Sequence, residues 1–217
     1  DPALNFTELD CLYGQYLFRA NLPVEANAQA QKLWLVGKSQ PEACDALFSQ
    51  WQRSGGLTDE LRWQRAKLAA EAGQYGLASS LIRQLPGLTH KGQLLVEVAQ
   101  KPQLLKQTGK FVPADRQMAD VVGLGLRRMA RQNPEQAIEW LEFYGNRLPF
   151  SSEEKVAIAR SIGLTLAKRF DARALKVMAQ YDPELRDNTV SEWRTRLLLR
   201  LGRWNEAHEL TLKLPQE

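Results

Sequence analysis

Apolar side chains return every three or four residues along almost the whole chain, which is the spacing that places them on one face of an α-helix. No run alternates apolar and polar residues for long enough to predict a strand, since residues 111–113 are too few. The sequence therefore predicts an all-α protein made of short helices. Turn-forming residues predict the breaks between helices at residues 21–23, Gly37, 54–56, Gly73, 85–87, 108–109, 133–134, 151–152 and 182–183.

Helix-starting residues support the same division. Pro41 suits the first turn of a third helix, and Thr58 is a good N-cap for a fourth that should reach Gly73. Asp59 and Glu60 follow that cap, where negative charge is favourable at a helix N-terminus. We give Glu153-Glu154, which follows a serine pair, the same interpretation.

Residues 68–86 align without a gap with residues 197–215. Each copy has the pattern of a helical hairpin: glycine ends the first helix, an aromatic residue wedges the turn, and alanine permits close approach. Leucines then bury the seam, and proline ends the unit. Residues 133–143 and 170–181 are looser versions of the second helix. The matched pairs are Gly73 and Gly202, Tyr75 and Trp204, Ala78 and Ala207, Leu81 and Leu210, Leu85 and Leu214, and Pro86 and Pro215.

A hairpin of this length cannot bury its apolar stripe alone, so neighbouring hairpins must stack on it. No low-complexity linker interrupts the chain. We therefore expect one continuous domain over residues 1–217, a superhelical α-solenoid of short antiparallel helical hairpins.

Composition and charge exclude several classes of protein. Apolar residues make up 44% and charged residues 25% of the 217 residues, which is ordinary for a globular protein. No apolar run approaches the roughly 20 residues that a transmembrane segment needs. The net charge is only +4, and the densest basic groups, 127–131 and 194–200, have the spacing of solvated helix faces. We expect no nucleic-acid partner, because that would need a denser patch interleaved with exposed aromatics.

The chain carries no recognisable catalytic, metal or cofactor motif. It has no GxSxG, GxxxxGK or HExxH pattern, and its two histidines lie in no ligand spacing. Gly123-Leu124-Gly125 lacks the strand and third glycine of a dinucleotide site, so we expect a close helix contact there. The six tryptophans lie among leucines at helical spacing, which favours core packing over a sugar-binding platform. We predict no catalytic residue, no metal site and no cofactor.

The two cysteines, Cys11 and Cys44, fall on predicted helices that flank a third. A bridge between them would join the first helix to the third and stabilise the fold by roughly 3–4 kcal/mol. Such bonds persist only in oxidising compartments. The residues alone leave two alternatives, a disulfide or two buried free thiols.

Residues 32–51, KLWLVGKSQPEACDALFSQW, closely resemble the region around the second cysteine in the helical, non-catalytic part of soluble lytic murein transglycosylases. Cys11 lies where the first cysteine of that family would be, and residues 116–119 and 191–215 are similar to further stretches. The resemblance implies a right-handed superhelix that forms much of a ring. It also implies a periplasmic location and a disulfide between Cys11 and Cys44.

In the family that this sequence resembles, a lysozyme-like catalytic domain follows the superhelix. Its single Glu, followed directly by Ser, protonates the glycosidic oxygen between N-acetylmuramic acid and N-acetylglucosamine and then acts as base. The sugar's own 6-hydroxyl closes a 1,6-anhydro ring. No Glu here is followed by Ser, so no catalytic residue carries over. We expect that domain C-terminal to, and absent from, this chain.

The resemblance thus implies two partners, peptidoglycan glycan strands and the protein's own C-terminal catalytic domain. Two functions remain open. The chain is either the non-catalytic superhelical portion of a lytic transglycosylase that helps to position glycan strands, or a periplasmic helical-repeat adaptor that binds protein partners without an enzymatic role.

Overall fold

The computed structural model describes residues 6–214, and over these residues the chain forms helices and no strand. The all-α prediction is confirmed. The chain divides into two compact units, Asp1–Val96 and Glu97–Glu217. The single continuous domain expected from the sequence stays a prediction.

Unit 1 contains the first five helices and most of the sixth. Trp51 and Trp63 are its largest fully buried side chains. A 3-10 turn, Glu42–Cys44, leads into the third helix. The helices are α1 (Phe6–Arg19), α2 (Pro23–Trp34), α3 (Asp45–Arg53), α4 (Asp59–Glu71), α5 (Tyr75–Ile82) and α6 (Thr89–Gln100).

Two boundaries in unit 1 differ from the sequence prediction. Helix α2 ends at Trp34 rather than at Gly37. Gly37 instead faces the backbone of α4, where a Cβ atom would lie 2.6 Å from the carbonyl oxygen of Leu68. The glycine is therefore required for close packing and not for helix termination. Pro41 precedes the 3-10 turn instead of opening the third helix.

The glycine turns of the repeated hairpin are confirmed by the backbone, whereas Pro215, the predicted end of the second copy, lies outside the described residues. Gly73 and Gly202 both adopt a left-handed conformation, with φ of 78° and 70°. The amide of the next residue then donates a hydrogen bond back to the helix, from Gln74 to the carbonyl of Ala69 and from Arg203 to that of Leu198. This is the glycine-dependent C-cap that the sequence pattern predicts.

The aromatic residue after each of these turns does not behave as expected in both copies. Ala78 and Ala207 are buried between the paired helices, as the repeat predicts. Tyr75 is half-buried, but Trp204 is 65% exposed. The prediction that an aromatic residue wedges the turn is therefore wrong for Trp204.

Unit 2 is arranged around α7, which is buried on nearly all sides. The start of α7 is capped by Asp115, whose carboxylate accepts a hydrogen bond from the amide of Met118. A π-helical segment, Ala159–Gly163, joins α9 to α10. The helices are α7 (Arg116–Gln132), α8 (Pro134–Gly145), α9 (Ser152–Ile158), α10 (Leu164–Ala167), α11 (Arg173–Tyr181), α12 (Asn188–Arg200) and α13 (Trp204–Leu212).

Among the described residues, no helix combines the length and the apolar character that crossing a membrane requires.

Candidate functional site

A disulfide joins Cys11 on α1 to Cys44, which ends the 3-10 turn before α3. The Cα atoms of the two cysteines are 4.9 Å apart, and both residues are fully buried. Nearby, Gly14 allows α1 to approach Leu47 so closely that a Cβ atom would lie 2.8 Å from a leucine methyl carbon. The bridge and this close contact together fix α1 against the beginning of α3.

An aromatic cluster fills the space between α2 and α3. The Trp34 ring lies edge-on to Phe48, with centroids 5.0 Å apart, and to Trp51, with centroids 6.1 Å apart. The indole nitrogen of Trp34 donates a hydrogen bond of 3.1 Å to the carbonyl of Leu61 on α4. The core-packing prediction is therefore correct for Trp34 and Trp51, and also for Trp63, which is 1% exposed.

Arg65 on α4 lies against this cluster. Its guanidinium carbon is 4.2 Å from the ring centroid of Trp34 and 5.5 Å from that of Phe48. The residue is only 5% exposed, and burial lowers the pKa of its guanidinium to about 10. Arg65 is therefore still a cation at neutral pH.

The guanidinium of Arg65 has few partners for so buried a charge. Its Nη2 donates one long hydrogen bond, of 3.4 Å, to the carbonyl of Lys38. Its Nε has no hydrogen-bond partner among residues 6–214, and within the same residues the side chain forms no ion pair. Sequence reasoning did not single out Arg65, because an arginine at helical spacing is usually solvated.

Arg65 lines a groove of about 580 Å³, which we call the Arg65 groove. Its apolar part consists of aromatic and leucine side chains, and its polar part is rich in amides and hydroxyls. The lining residues are Trp34, Phe48, Leu57, Leu77, Leu81, Arg65, Ser39, Ser49, Ser80, Gln40, Gln52, Gln84 and Asp45. An aromatic surface combined with amide and hydroxyl groups, one carboxylate (Asp45) and one guanidinium (Arg65) suits a polar organic ligand.

A buried ion pair lies in unit 2 and corrects two sequence interpretations. Arg127, predicted on a solvated face, is 9% exposed and forms an ion pair with Glu154, which is 8% exposed. Glu154 was predicted only as favourable charge at a helix N-terminus. Gly123 makes room for its carboxylate, which a Cβ atom at that position would overlap, and Gly125 packs in the same way against Val98. The close helix contact predicted for this glycine pair is confirmed.

The second basic group, 194–200, contains both half-buried and exposed arginines. Arg194 is half-buried, and desolvation lowers the pKa of its guanidinium. Arg196 is exposed and forms an ion pair of 2.5 Å with Glu192. Arg200 is also exposed, and its guanidinium lies 4.6 Å from the ring centroid of Phe170. The solvated-face prediction is correct for Arg196 and Arg200 and wrong for Arg194.

The paired carboxylates at the start of α4 have the structural role that the sequence predicts. The hydroxyl of Thr58 accepts a hydrogen bond of 3.3 Å from the amide of Leu61, and Asp59 forms an ion pair with Arg62. Among the residues that the structure describes, no group of three or more His, Cys, Asp or Glu side chains could hold a metal ion.

Comparison with known proteins gives one match to a family profile, that of the Cucumovirus coat protein, over residues 14–109. This stretch is less than half of the chain, so the match does not establish a family for the whole of it.

Two relatives with similar sequences are both soluble lytic murein transglycosylases. The soluble lytic murein transglycosylase of Escherichia coli (strain K12) is 32% identical over 132 residues, which are 60% of this chain and 20% of that protein. The enzyme of the same name from Salmonella typhimurium is 28% identical over 97% of this chain and 33% of its own length.

Solved structures of lytic transglycosylases are also similar to this chain. An inactive mutant of lytic transglycosylase Slt from Pseudomonas aeruginosa is 65% identical, with a TM-score of 0.90, over 100% of this chain and 35% of that one. The transglycosylase Slt70 from Escherichia coli, at 24% identity and a TM-score of 0.63 over 97% of this chain, supports the fold alone. These likenesses confirm the predicted fold class, an all-α superhelix of short antiparallel helical hairpins. The chain spans between a fifth and about a third of the length of its relatives, and over that segment it is similar to soluble lytic murein transglycosylases, as its sequence predicts.

Proposed function

We propose that this chain is the non-catalytic superhelical portion of a periplasmic lytic transglycosylase. The parent enzyme would cleave bonds between N-acetylmuramic acid and N-acetylglucosamine in peptidoglycan and leave 1,6-anhydro products. The observation that carries this proposal is the 65% identity to the Pseudomonas aeruginosa transglycosylase over the whole chain. The role of the chain would be to help position glycan strands for a C-terminal catalytic domain.

The chemistry of the chain supports a positioning role. A lytic transglycosylase needs one carboxyl group that serves first as acid and then as base. Three carboxylates described above, Glu154, Asp59 and Glu192, are each engaged by an arginine. The mild positive charge of +4 is compatible with an anionic polymer as partner.

A segment exchange tests the proposal. The matched third of the Pseudomonas aeruginosa enzyme is replaced by this chain, and release of 1,6-anhydro-muropeptides from purified sacculi is compared with that of the parent enzyme and of a version lacking the segment. We expect the exchanged enzyme to keep most of the parent activity and the deletion to lose it. Full activity of the deletion would contradict a positioning role. It would then leave the protein-binding adaptor, which no observation now favours, as the alternative.

A further inference from the structure

Arg65 stands out because a buried cation normally has an anionic partner. Transfer of a charged group from water to the protein interior costs several kcal/mol unless hydrogen bonds and an opposite charge compensate for it. The chain itself provides the comparison. Arg127 is about as buried as Arg65 and is neutralised by Glu154, whereas Arg65 forms no ion pair within residues 6–214 and its Nε is without a hydrogen-bond partner.

The contacts of Arg65 within the chain fix the position of its guanidinium but leave some of its hydrogen-bond donors unused. Arg65 lies over the Trp34 ring at 4.2 Å, and this cation–π contact orients the guanidinium. The single hydrogen bond to the carbonyl of Lys38 uses one of five donors. A planar guanidinium with donors still available is the group that proteins use to bind a carboxylate in a bidentate manner.

The rest of the Arg65 groove indicates what is attached to that carboxylate. Besides the Asp45 carboxylate, which only accepts hydrogen bonds, three amide side chains (Gln40, Gln52 and Gln84) and three hydroxyls (Ser39, Ser49 and Ser80) line it with Arg65. These groups both donate and accept hydrogen bonds, as hydroxyl and acetamido substituents require. A volume of about 580 Å³ lies within the range of small-molecule sites.

We propose that the Arg65 groove binds a carboxylate-bearing N-acetylated amino sugar, with Arg65 donating to the carboxylate and the amide and hydroxyl side chains contacting the neutral part of the sugar. The choice of sugar rests on the proposed function, because N-acetylmuramic acid carries its carboxylate on a lactyl ether. A short peptide attached to the glycan is a second source of the same carboxylate, which the experiment distinguishes.

The test is a titration of the 217-residue chain with three compounds, followed by isothermal calorimetry and by the NMR signals of the glutamine side-chain amides. The compounds are N-acetylmuramic acid, N-acetylglucosamine as the same sugar without a carboxylate, and N-acetyl-D-alanine as a carboxylate without a sugar. We expect N-acetylmuramic acid to bind at least about tenfold more tightly than N-acetylglucosamine, since a charge-assisted hydrogen bond contributes about 1.5–3 kcal/mol. The amide signals of Gln52 and Gln84 should shift.

Substitutions test whether Arg65 is responsible for the preference for N-acetylmuramic acid. Arg65→Gln should abolish the preference for N-acetylmuramic acid, and Arg65→Lys should restore it only in part, because lysine keeps the charge but not the planar donors. Arg53→Gln, an exposed arginine on α3 outside the groove, is the matched control and should bind like the wild type. Equal binding of N-acetyl-D-alanine and N-acetylmuramic acid would assign the carboxylate to a peptide and overturn the sugar assignment.

Absence of binding to the wild-type chain, or unchanged binding by Arg65→Gln, would overturn the site and leave Arg65 as a packing residue. The amide shifts are measured on the wild type, so this outcome does not depend on the variants folding. Co-sedimentation of the chain with sacculi separates the two proposals. A chain that sediments with peptidoglycan but ignores N-acetylmuramic acid contradicts only the Arg65 site, and a chain that does neither contradicts the positioning function as well.

Discussion

Removing the disulfide between Cys11 and Cys44 should cost a large share of the stability of unit 1. The two cysteines are separated by 33 positions in sequence. In the chain-entropy account, closing a loop of that length lowers the entropy of the unfolded chain enough to stabilise the native state by about 4 kcal/mol at 25 °C. Because both side chains are fully buried, replacing them with alanine introduces no unsatisfied polar group, and the loss should come mainly from the bridge.

The assay is urea unfolding of the wild type, Cys11→Ala, Cys44→Ala and the double variant, followed by tryptophan fluorescence. Trp34 and Trp51 are buried in unit 1 and report on its unfolding. Each single substitution breaks the bridge, so we expect each to lose about 3–4 kcal/mol and the double variant to lose hardly more. Reductant should destabilise the wild type by a similar amount and should leave Cys44→Ala unchanged.

Additive effects of the two single substitutions, each below about 1 kcal/mol, would refute this reasoning. So would a wild-type protein whose unfolding is insensitive to reductant. Mass spectrometry under non-reducing conditions provides an independent check: the wild type should be two protons lighter than the dithiol form. Two freely alkylated thiols in protein from an oxidising compartment would also weaken the periplasmic proposal.

Three further substitutions test the packing, the turn and the cap. Leu198→Asp should lower the free energy of unfolding by at least about 3 kcal/mol in urea unfolding, because it places an unpaired charge in the core. Leu199→Asp, at a neighbouring position that is 41% exposed, should cost much less. Gly73→Ala should lower the same quantity by about 1 kcal/mol through its φ of 78°, whereas Gly76→Ala on α5 should not lower it. Asp187 caps α12, because its carboxylate accepts hydrogen bonds from the amide of Val190 and from the guanidinium of Arg160. Desolvation raises the pKa of this carboxyl, but these hydrogen bonds lower it overall. The stabilisation that this residue gives is therefore present above its unfolded-state pKa of about 3.9 and disappears as pH falls through the lower native value. Asp187→Asn should reduce the loss of stability that titration from pH 5 to pH 2 produces, and equal acid sensitivity would contradict the assignment.

The helices and their ends could largely be predicted from the sequence because local chemistry determines them. A glycine that adopts positive φ, as Gly73 and Gly202 do, indicates the end of a helix whatever residues surround it. A hydroxyl before acidic residues, as at Thr58, is equally local. The internal repeat added the pairing of helices, since two copies of one hairpin share one geometry.

Burial of charged residues could not be predicted in this way. Helical spacing shows which face of a helix is apolar, but not whether another helix also covers its polar face. Helix α7 is covered on nearly all sides, so Arg127 is buried although its neighbours in sequence look solvated. Arg65 was missed for the same reason: stacking on Trp34 and Phe48 depends on three helices meeting.

The converse error occurred at Trp204. A large aromatic residue at a hairpin turn was expected to be buried, but the side chain is 65% exposed. Its counterpart Tyr75 is half-buried at the equivalent position. Equivalent backbone positions therefore share turn geometry without sharing the tertiary neighbours that decide burial.

Co-sedimentation with purified, insoluble peptidoglycan tests most directly whether this chain is a glycan-positioning segment without catalytic activity. The 217-residue chain is incubated with sacculi, and both its depletion from the supernatant and the release of 1,6-anhydro-muropeptides are measured, with the full-length Pseudomonas aeruginosa enzyme as positive control. We predict that the chain sediments with the sacculi and releases no 1,6-anhydro product, whereas the full-length enzyme releases it. A chain that remains in the supernatant, or that releases 1,6-anhydro-muropeptides by itself, would contradict the proposed function.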